Sequence, residues 1–144
     1  RDPPASLVAM GRGLRNVTFT GAVDDVRPHV RSGHVSVIPL KVGGGTRIKA
    51  FESMAMGSPV VSTSVGIEGL DVEDGVHYLC RDDDESMAEA IVDLLADDTT
   101  RLRLARAARA VVEARFGHSV ASGIFEEICW EALTSFRYST VLVR

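Results

Sequence analysis

The sequence of 144 residues has no apolar run approaching the ~18 to 20 residues that a membrane-spanning helix requires. Nor does it open on a basic segment followed by an apolar one, so no export signal is read there. Basic charge is in short supply: 20 acidic residues outnumber 16 basic ones, for a formal charge of −4. A nucleic-acid surface usually needs a strong basic excess, so that class is set aside, whereas a small local phosphate site is not. The two cysteines, Cys80 and Cys129, lack CxxC spacing, and both are expected to pack as small core hydrophobes in a reducing compartment. His29, His34, His77 and His118 show no metal-ligand spacing such as HExxH, so no metal site and no catalytic histidine is assigned. Also lacking are the GxxxxGK[ST] of a P-loop and a GxGxxG followed by an acid, which removes two common nucleotide-binding classes. The expectation is a cytoplasmic protein with no membrane span, no nucleic-acid partner and no metal.

What is present, 45% hydrophobic and 25% charged residues, suits one globular domain with a sizeable core and leaves no room for a second. Its organising stretch is residues 35–63. Val35, Ser36, Val37 and Ile38, closed by Pro39, read as a buried strand of a parallel sheet. Lys41 and Val42 lead into Gly43, Gly44 and Gly45, a loop whose glycines can take positive φ and let a ligand approach the backbone. Thr46 is expected to cap a helix of about three turns, with Ile48, Phe51 and Ala55 on its apolar face and Gly57 as its stop. Pro59, Val60, Val61 and Ser62 make the next strand, which completes a βαβ unit with the glycine loop at the carboxyl end of a strand, where open α/β sheets bind ligands. The free N–H groups at the helix start favour phosphate. Lys49 and Glu52, three apart on one side of that helix, suit a nucleotide: a cation for the phosphates, a carboxylate for two ribose hydroxyls.

Ahead of this unit the pattern predicts a short helix around Leu7, Val8 and Met10, ended by Gly11 and Gly13, then a strand through Val17 and Phe19 into Gly21. Asp25 is expected to cap a brief helix over residues 26–31, with Pro28 in its first turn. After it, residues 64–69 read as a loop on the ligand side and residues 76–80 as a strand. The acids at 82–85 are read as a solvated, dipole-favoured run before a helix opened by a Ser86/Glu89 capping box, with Met87, Ile91, Leu94 and Leu95 inward. Leu102, Ala105, Ala108, Val112 and Phe116 face inward on the next helix, and Arg101, Arg103, Arg106, Arg109 and Arg115 spread around it as a solvated face. Gly117 stops that helix, Ser119 caps another through Ile124, Phe125 and Ile128, and residues 138–143 read as a strand.

Pro39, Gly43 to Arg47, Lys49, Glu52, Met54, Ala55, Gly57, Pro59 to Val61, then Gly66, Glu68, Gly69 and Leu70 form a pattern with a family likeness. It resembles the carboxyl-terminal domain of the group 1 (family 4) retaining glycosyltransferases. The likeness extends outward through residues 16–21 and 23–26 and onward to about Ile128. It implies an α/β, Rossmann-like, doubly wound parallel sheet, one half of a GT-B fold, that binds the nucleotide of a UDP-, GDP- or ADP-sugar and needs no metal or other cofactor. In that family two glutamates stand eight positions apart, one on the donor sugar and one on the ribose. Glu52 matches the second, and the first falls on Gly44, so backbone N–H groups would replace the missing carboxylate. By the same resemblance Thr46, Lys49 and the N–H groups of Gly44 and Gly45 would hold the diphosphate with Arg47 as a helper, and Gly21 and Val23 would border the base.

A doubly wound sheet in the order 3-2-1-4-5-6 has its first two strands near the middle, and matched to the family this chain begins after the second of them. A longer chain, strand exchange between two copies, or the 138–143 tail would have to fill the gap. Residues 1–133 are taken as the partial nucleotide-sugar-binding domain and 134–144 as a tail. The family's Arg and Lys on the donor diphosphate and its acceptor domain are also outside this sequence. The chain is therefore expected to act as a hexosyltransferase-type enzyme of polysaccharide assembly only within a full two-domain protein, and to be inactive alone. The alternative is a non-catalytic interaction domain, or a truncated remnant without nucleotide binding, that meets partners through its open sheet edge.

Overall fold

β-Branched runs with no polar alternation, such as Val60 and Val61, suit a strand covered on both faces. In a computed structural model of the protein, which describes residues 3–141 and the side chains of residues 3–135, such a strand lies at the centre. β1 (Ser36–Ile38), β2 (Val60–Ser62) and β3 (Leu79–Cys80) form a parallel sheet in the order β1-β2-β3. Ser36, Val37 and Ile38 pair with Val60, Val61 and Ser62, and Val61 and Ser62 pair with Leu79 and Cys80. Parallel neighbours need crossovers. α3 (Ile48–Ala55) makes the first, and α4 (Ser64–Ile67) with the loop after it makes the second. α1 (Ala5–Arg12) and α2 (Arg27–Ser32) precede the sheet, and α5 (Asp84–Ala96), α6 (Asp98–Phe116) and α7 (His118–Val141) follow it.

Alternation along β2 divides the core in two. Val60 joins Ala50 and Met54 of α3, Ile67, Tyr78, and Ala108 and Val112 of α6. Val61 joins Met87, Ala90 and Leu94 of α5 and Leu104 of α6. The result is a mixed α/β fold around a small parallel sheet, consistent with a Rossmann-like fragment. Among the described residues no helix is long and apolar enough to cross a membrane.

Several local expectations give way to tertiary packing. Residues 17–20 form no strand, because a lone extended segment has no ladder to join. Val17 and Phe19 lie instead over Gly11, which is buried inside α1 and does not end it. β1 starts at Ser36, and Val37 is 40% exposed at the sheet edge, so this strand is not buried throughout. On α3 the buried residues are Ala50, Ser53 and Met54, whereas Ile48 is exposed. Residues 64–67 are a helical turn, since the Thr63 hydroxyl accepts from the Gly66 N–H. Strand character over 76–80 contracts to Leu79 and Cys80, with a single bridge between Asp74 and Tyr78.

The same holds for the helical half. Asp83, not Ser86, caps α5: its carboxylate accepts the Ser86 N–H at 2.8 Å. Leu95 and Leu102 are exposed, and Leu104 takes the core position on α6. The α6 arginines stay solvated as expected, with Arg103, Arg106, Arg109 and Arg115 exposed and Arg101 half-buried, but several also tie the helix to its neighbours. Arg101 donates to Leu94 O and pairs with Asp98, Arg103 donates to Gly75 O, and Arg115 donates to Asp71. α7 begins at His118, so Ser119 lies inside it, and it stays helical through Val141. That overturns the strand expected over 138–143, whose last two residues lie outside the described ones. Cys80 is half-buried and Cys129 exposed, so only the first packs as anticipated.

Two outcomes are expected. Leu104→Ala should lower stability by about 2–5 kcal/mol, whereas Leu102→Ala should stay within about 0.5 kcal/mol, read from urea midpoints. Hydrogen bonds from Ser86 hold the Asp83 carboxyl below its ordinary value, and those from Thr100 and Thr99 do the same for Asp97, the cap of α6. Depressed carboxyl values stabilise the fold above the unfolded value of 3.8, and that contribution is lost as pH falls through the folded values. A protein carrying Asp83→Ala and Asp97→Ala should melt lower than wild type at neutral pH and show a smaller further drop below pH 3.8.

Candidate functional site

Pro39 carries no N–H to continue a ladder, so the chain leaves the sheet where β1 ends. Leu40 O then accepts from the Thr63 hydroxyl at 2.5 Å, which ties this exit to the one after β2. The glycine loop follows. Gly45 has φ +87°, a conformation a side chain would strain.

Arg47 turns inward and is only 7% exposed. Its Nη1 donates to Gly45 O at 3.0 Å, and its Nη2 to Gly43 O at 3.0 Å and to Glu68 Oε2 at 2.7 Å. Its Nε is the one buried side-chain polar atom without a partner among the described residues. Such an orphan costs about 1–3 kcal/mol, so the other three bonds must hold the side chain in place. Arg47 also occupies the cap position of α3 without a side-chain cap bond. Thr46 therefore does not cap the helix as expected; it sits one residue earlier and its carbonyl accepts the Ile48 N–H.

The other exits close around the first. Thr63 Oγ1 also accepts the Gly66 N–H at 3.0 Å, and a Cβ on Gly66 would collide with Ser62 Oγ and come within 3.1 Å of Ile38 O. Asp82, after β3, accepts from the N–H and hydroxyl of Ser64 at 2.7 and 2.9 Å. Lys41 Nζ meets Asp84 at 2.7 Å. Lys41 and Arg47 are thus each matched by a carboxylate, whereas Lys49 has no ion pair among the described residues.

Between the exit from β1, the start of α3 and Gly66 lies an open cleft of about 540 Å³, lined by Ile38, Gly44, Thr46, Arg47, Lys49 and Gly66 among others. A second hollow of about 160 Å³ lies between Val26 and Arg27 on one side and Phe51 and Glu52 on the other. Of the anticipated residues, Gly44, Thr46, Arg47 and Lys49 come together. Gly43 and Gly45 contribute carbonyls to Arg47, and Glu52 faces the smaller hollow. Gly21, at φ +68°, and Val23 are exposed and line neither. Sequence reasoning missed Thr63 as the hydroxyl that joins two loops. Its signal was present: a threonine directly after a strand, three residues before a glycine.

Gly66→Ala should cost about 1–3 kcal/mol through overpacking. Gly123→Ala, in α7 with open space at the Cβ, should be neutral or stabilising by up to about 1 kcal/mol. Urea titration of both variants checks the contrast.

Among curated proteins no match to the chain is found. The family model described as Glycosyl transferases group 1 matches residues 1–97. That span takes in α1 to α5, all three strands, the glycine loop and both hollows. On this match the chain belongs to the group 1 glycosyltransferases.

Proposed function

We propose that this domain binds the nucleoside-diphosphate part of a sugar-nucleotide donor, as the carboxyl-terminal half of a retaining, GT-B glycosyltransferase. The observation that carries the reading is the cleft at the carboxyl end of β1, between the glycine loop, the start of α3 and Gly66. Open α/β sheets take ligands at this edge. The sheet order β1-β2-β3 also fits the outer arm of a doubly wound sheet.

Within this reading Lys49 and the N–H groups at the head of α3 stabilise the charge on the diphosphate. Glu52, one turn on, accepts from the ribose hydroxyls in the smaller hollow. The base extends past Val26 and Arg27 toward Gly21 and Val23. Gly44 has no side chain to meet the sugar, so that contact falls to backbone. An acceptor hydroxyl held by a second domain attacks the anomeric carbon. The bond from that carbon to the diphosphate oxygen breaks, the nucleoside diphosphate departs with the proton of the acceptor hydroxyl, and the anomeric configuration is retained. This chain supplies the donor half of that reaction.

A second reading, a non-catalytic interaction domain, draws on exposed apolar residues of α7, including Phe125, Ile128, Trp130 and Leu133, and on Val37 at the sheet edge. Calorimetric titration with UDP, GDP and ADP separates the two. Saturable binding of one nucleotide is expected, weakened at least tenfold by Glu52→Ala, which is about 1.4 kcal/mol. Absence of binding by a folded chain would favour the second reading.

A further inference from the structure

The inward guanidinium of Arg47 assigns it a role different from the phosphate contact expected of a cation beside a glycine loop. We propose that Arg47 is a positioning residue, which aims two loop N–H groups, those of Gly44 and Thr46, into the cleft. The inference rests on the proposed donor-binding role of the cleft and names how the anion is held there.

The geometry of the peptide bond carries the argument. In a trans peptide the carbonyl of one residue and the N–H of the next point in opposite directions. The chain has no cis peptide among the described residues. Arg47 draws the Gly43 and Gly45 carbonyls toward itself, each at 3.0 Å. The Gly44 and Thr46 N–H groups are thereby turned away from the guanidinium. Neither makes a hydrogen bond among the described residues, and both belong to residues that line the cleft. Gly45 N–H belongs to the intervening peptide, whose carbonyl Arg47 does not hold, so its direction is not set in this way.

Charge points the same way. Glu68 neutralises Arg47 at 2.7 Å, which leaves Lys49 as the cleft-lining cation without a carboxylate among the described residues. Glu68 also links the segment after α4 to the loop, so two of the post-strand segments share one anchor. Arg47 reaches its three acceptors from two separate nitrogens of one rigid plane, Nη1 and Nη2, whereas the three donors of a lysine radiate from a single nitrogen on a flexible stem, so lysine keeps the cation and loses that spacing.

The test uses wild type, Arg47→Lys and Arg47→Gln, each checked for intact fold by circular dichroism and thermal melting. Two readouts are taken: calorimetric affinity for the nucleotide that wild type binds, and backbone order at Gly44 and Thr46 from heteronuclear NMR relaxation. Both substitutions are expected to disorder the loop and to weaken binding at least tenfold, with lysine giving no rescue. Near-wild-type affinity of Arg47→Lys would overturn the assignment, because charge alone would then suffice. So would an unchanged loop in both variants.

Should the variants fail to fold, wild type alone decides. Nucleotide addition is expected to shift the amide protons of Gly44 and Thr46 downfield by more than that of Gly45. The reverse order overturns the proposal. A wild-type chain that binds no nucleotide overturns the donor-binding reading and with it the anion-holding role, whatever the loop measurement shows.

Discussion

β2 is buried on both faces and paired in parallel on both edges, and the remaining architecture follows from that constraint. A parallel neighbour cannot be reached by a tight turn, so the chain must cross over a face between successive strands. A strand with Val60 on one face and Val61 on the other requires apolar cover on each, which α3 and α5 supply, with α6 contributing to both clusters. Because all three strands run the same way, their carboxyl ends share one edge. The glycine loop, the Thr63 turn and the acidic run at 82–85 all meet there.

Polar contacts join that edge. The Thr63 hydroxyl bridges Leu40 O and the Gly66 N–H, Asp82 holds Ser64, and Arg47 spans the glycine loop and Glu68. Lys41 meets Asp84, an exposed pair of the kind that contributes little to stability. Its consequence is electrostatic: two of the three cations near the loop are already matched. With Arg81 also facing Asp74, the free positive charge at this edge among the described residues thus lies on Lys49 and on backbone N–H groups, in a protein of net charge −4. A local anion site of this kind is compatible with an acidic domain, since exposed charges beyond about 10 Å are largely screened at ordinary salt.

α7 stands apart from this scheme. Ile124, Phe125, Ile128, Trp130 and Leu133 are all exposed, so the helix does not take its stability from the two clusters around β2. Its length, His118–Val141, exceeds the ~12–15 residues below which an isolated helix is marginal.

The sequence by itself determined the order strand, glycine loop, helix, strand over residues 35–63, because β-branched runs, clustered glycines and a helix stop at Gly57 are local signals read from neighbours in the chain. It also carried the family, through a pattern of specific residues spread across that unit. Tertiary structure decided what depends on partners distant in sequence. Leu104 and not Leu102 entered the core, because the phase of a helix is set by the surface it meets. Val17 and Phe19 had strand-forming residues but no strand beside them, and hydrogen-bonded ladders are a property of pairs. Arg47, read as a cation for the ligand, was turned inward by two carbonyls of its own loop and a carboxylate 21 residues away. No spacing rule contains that contact, because it exists only once α4 has folded beside the glycine loop.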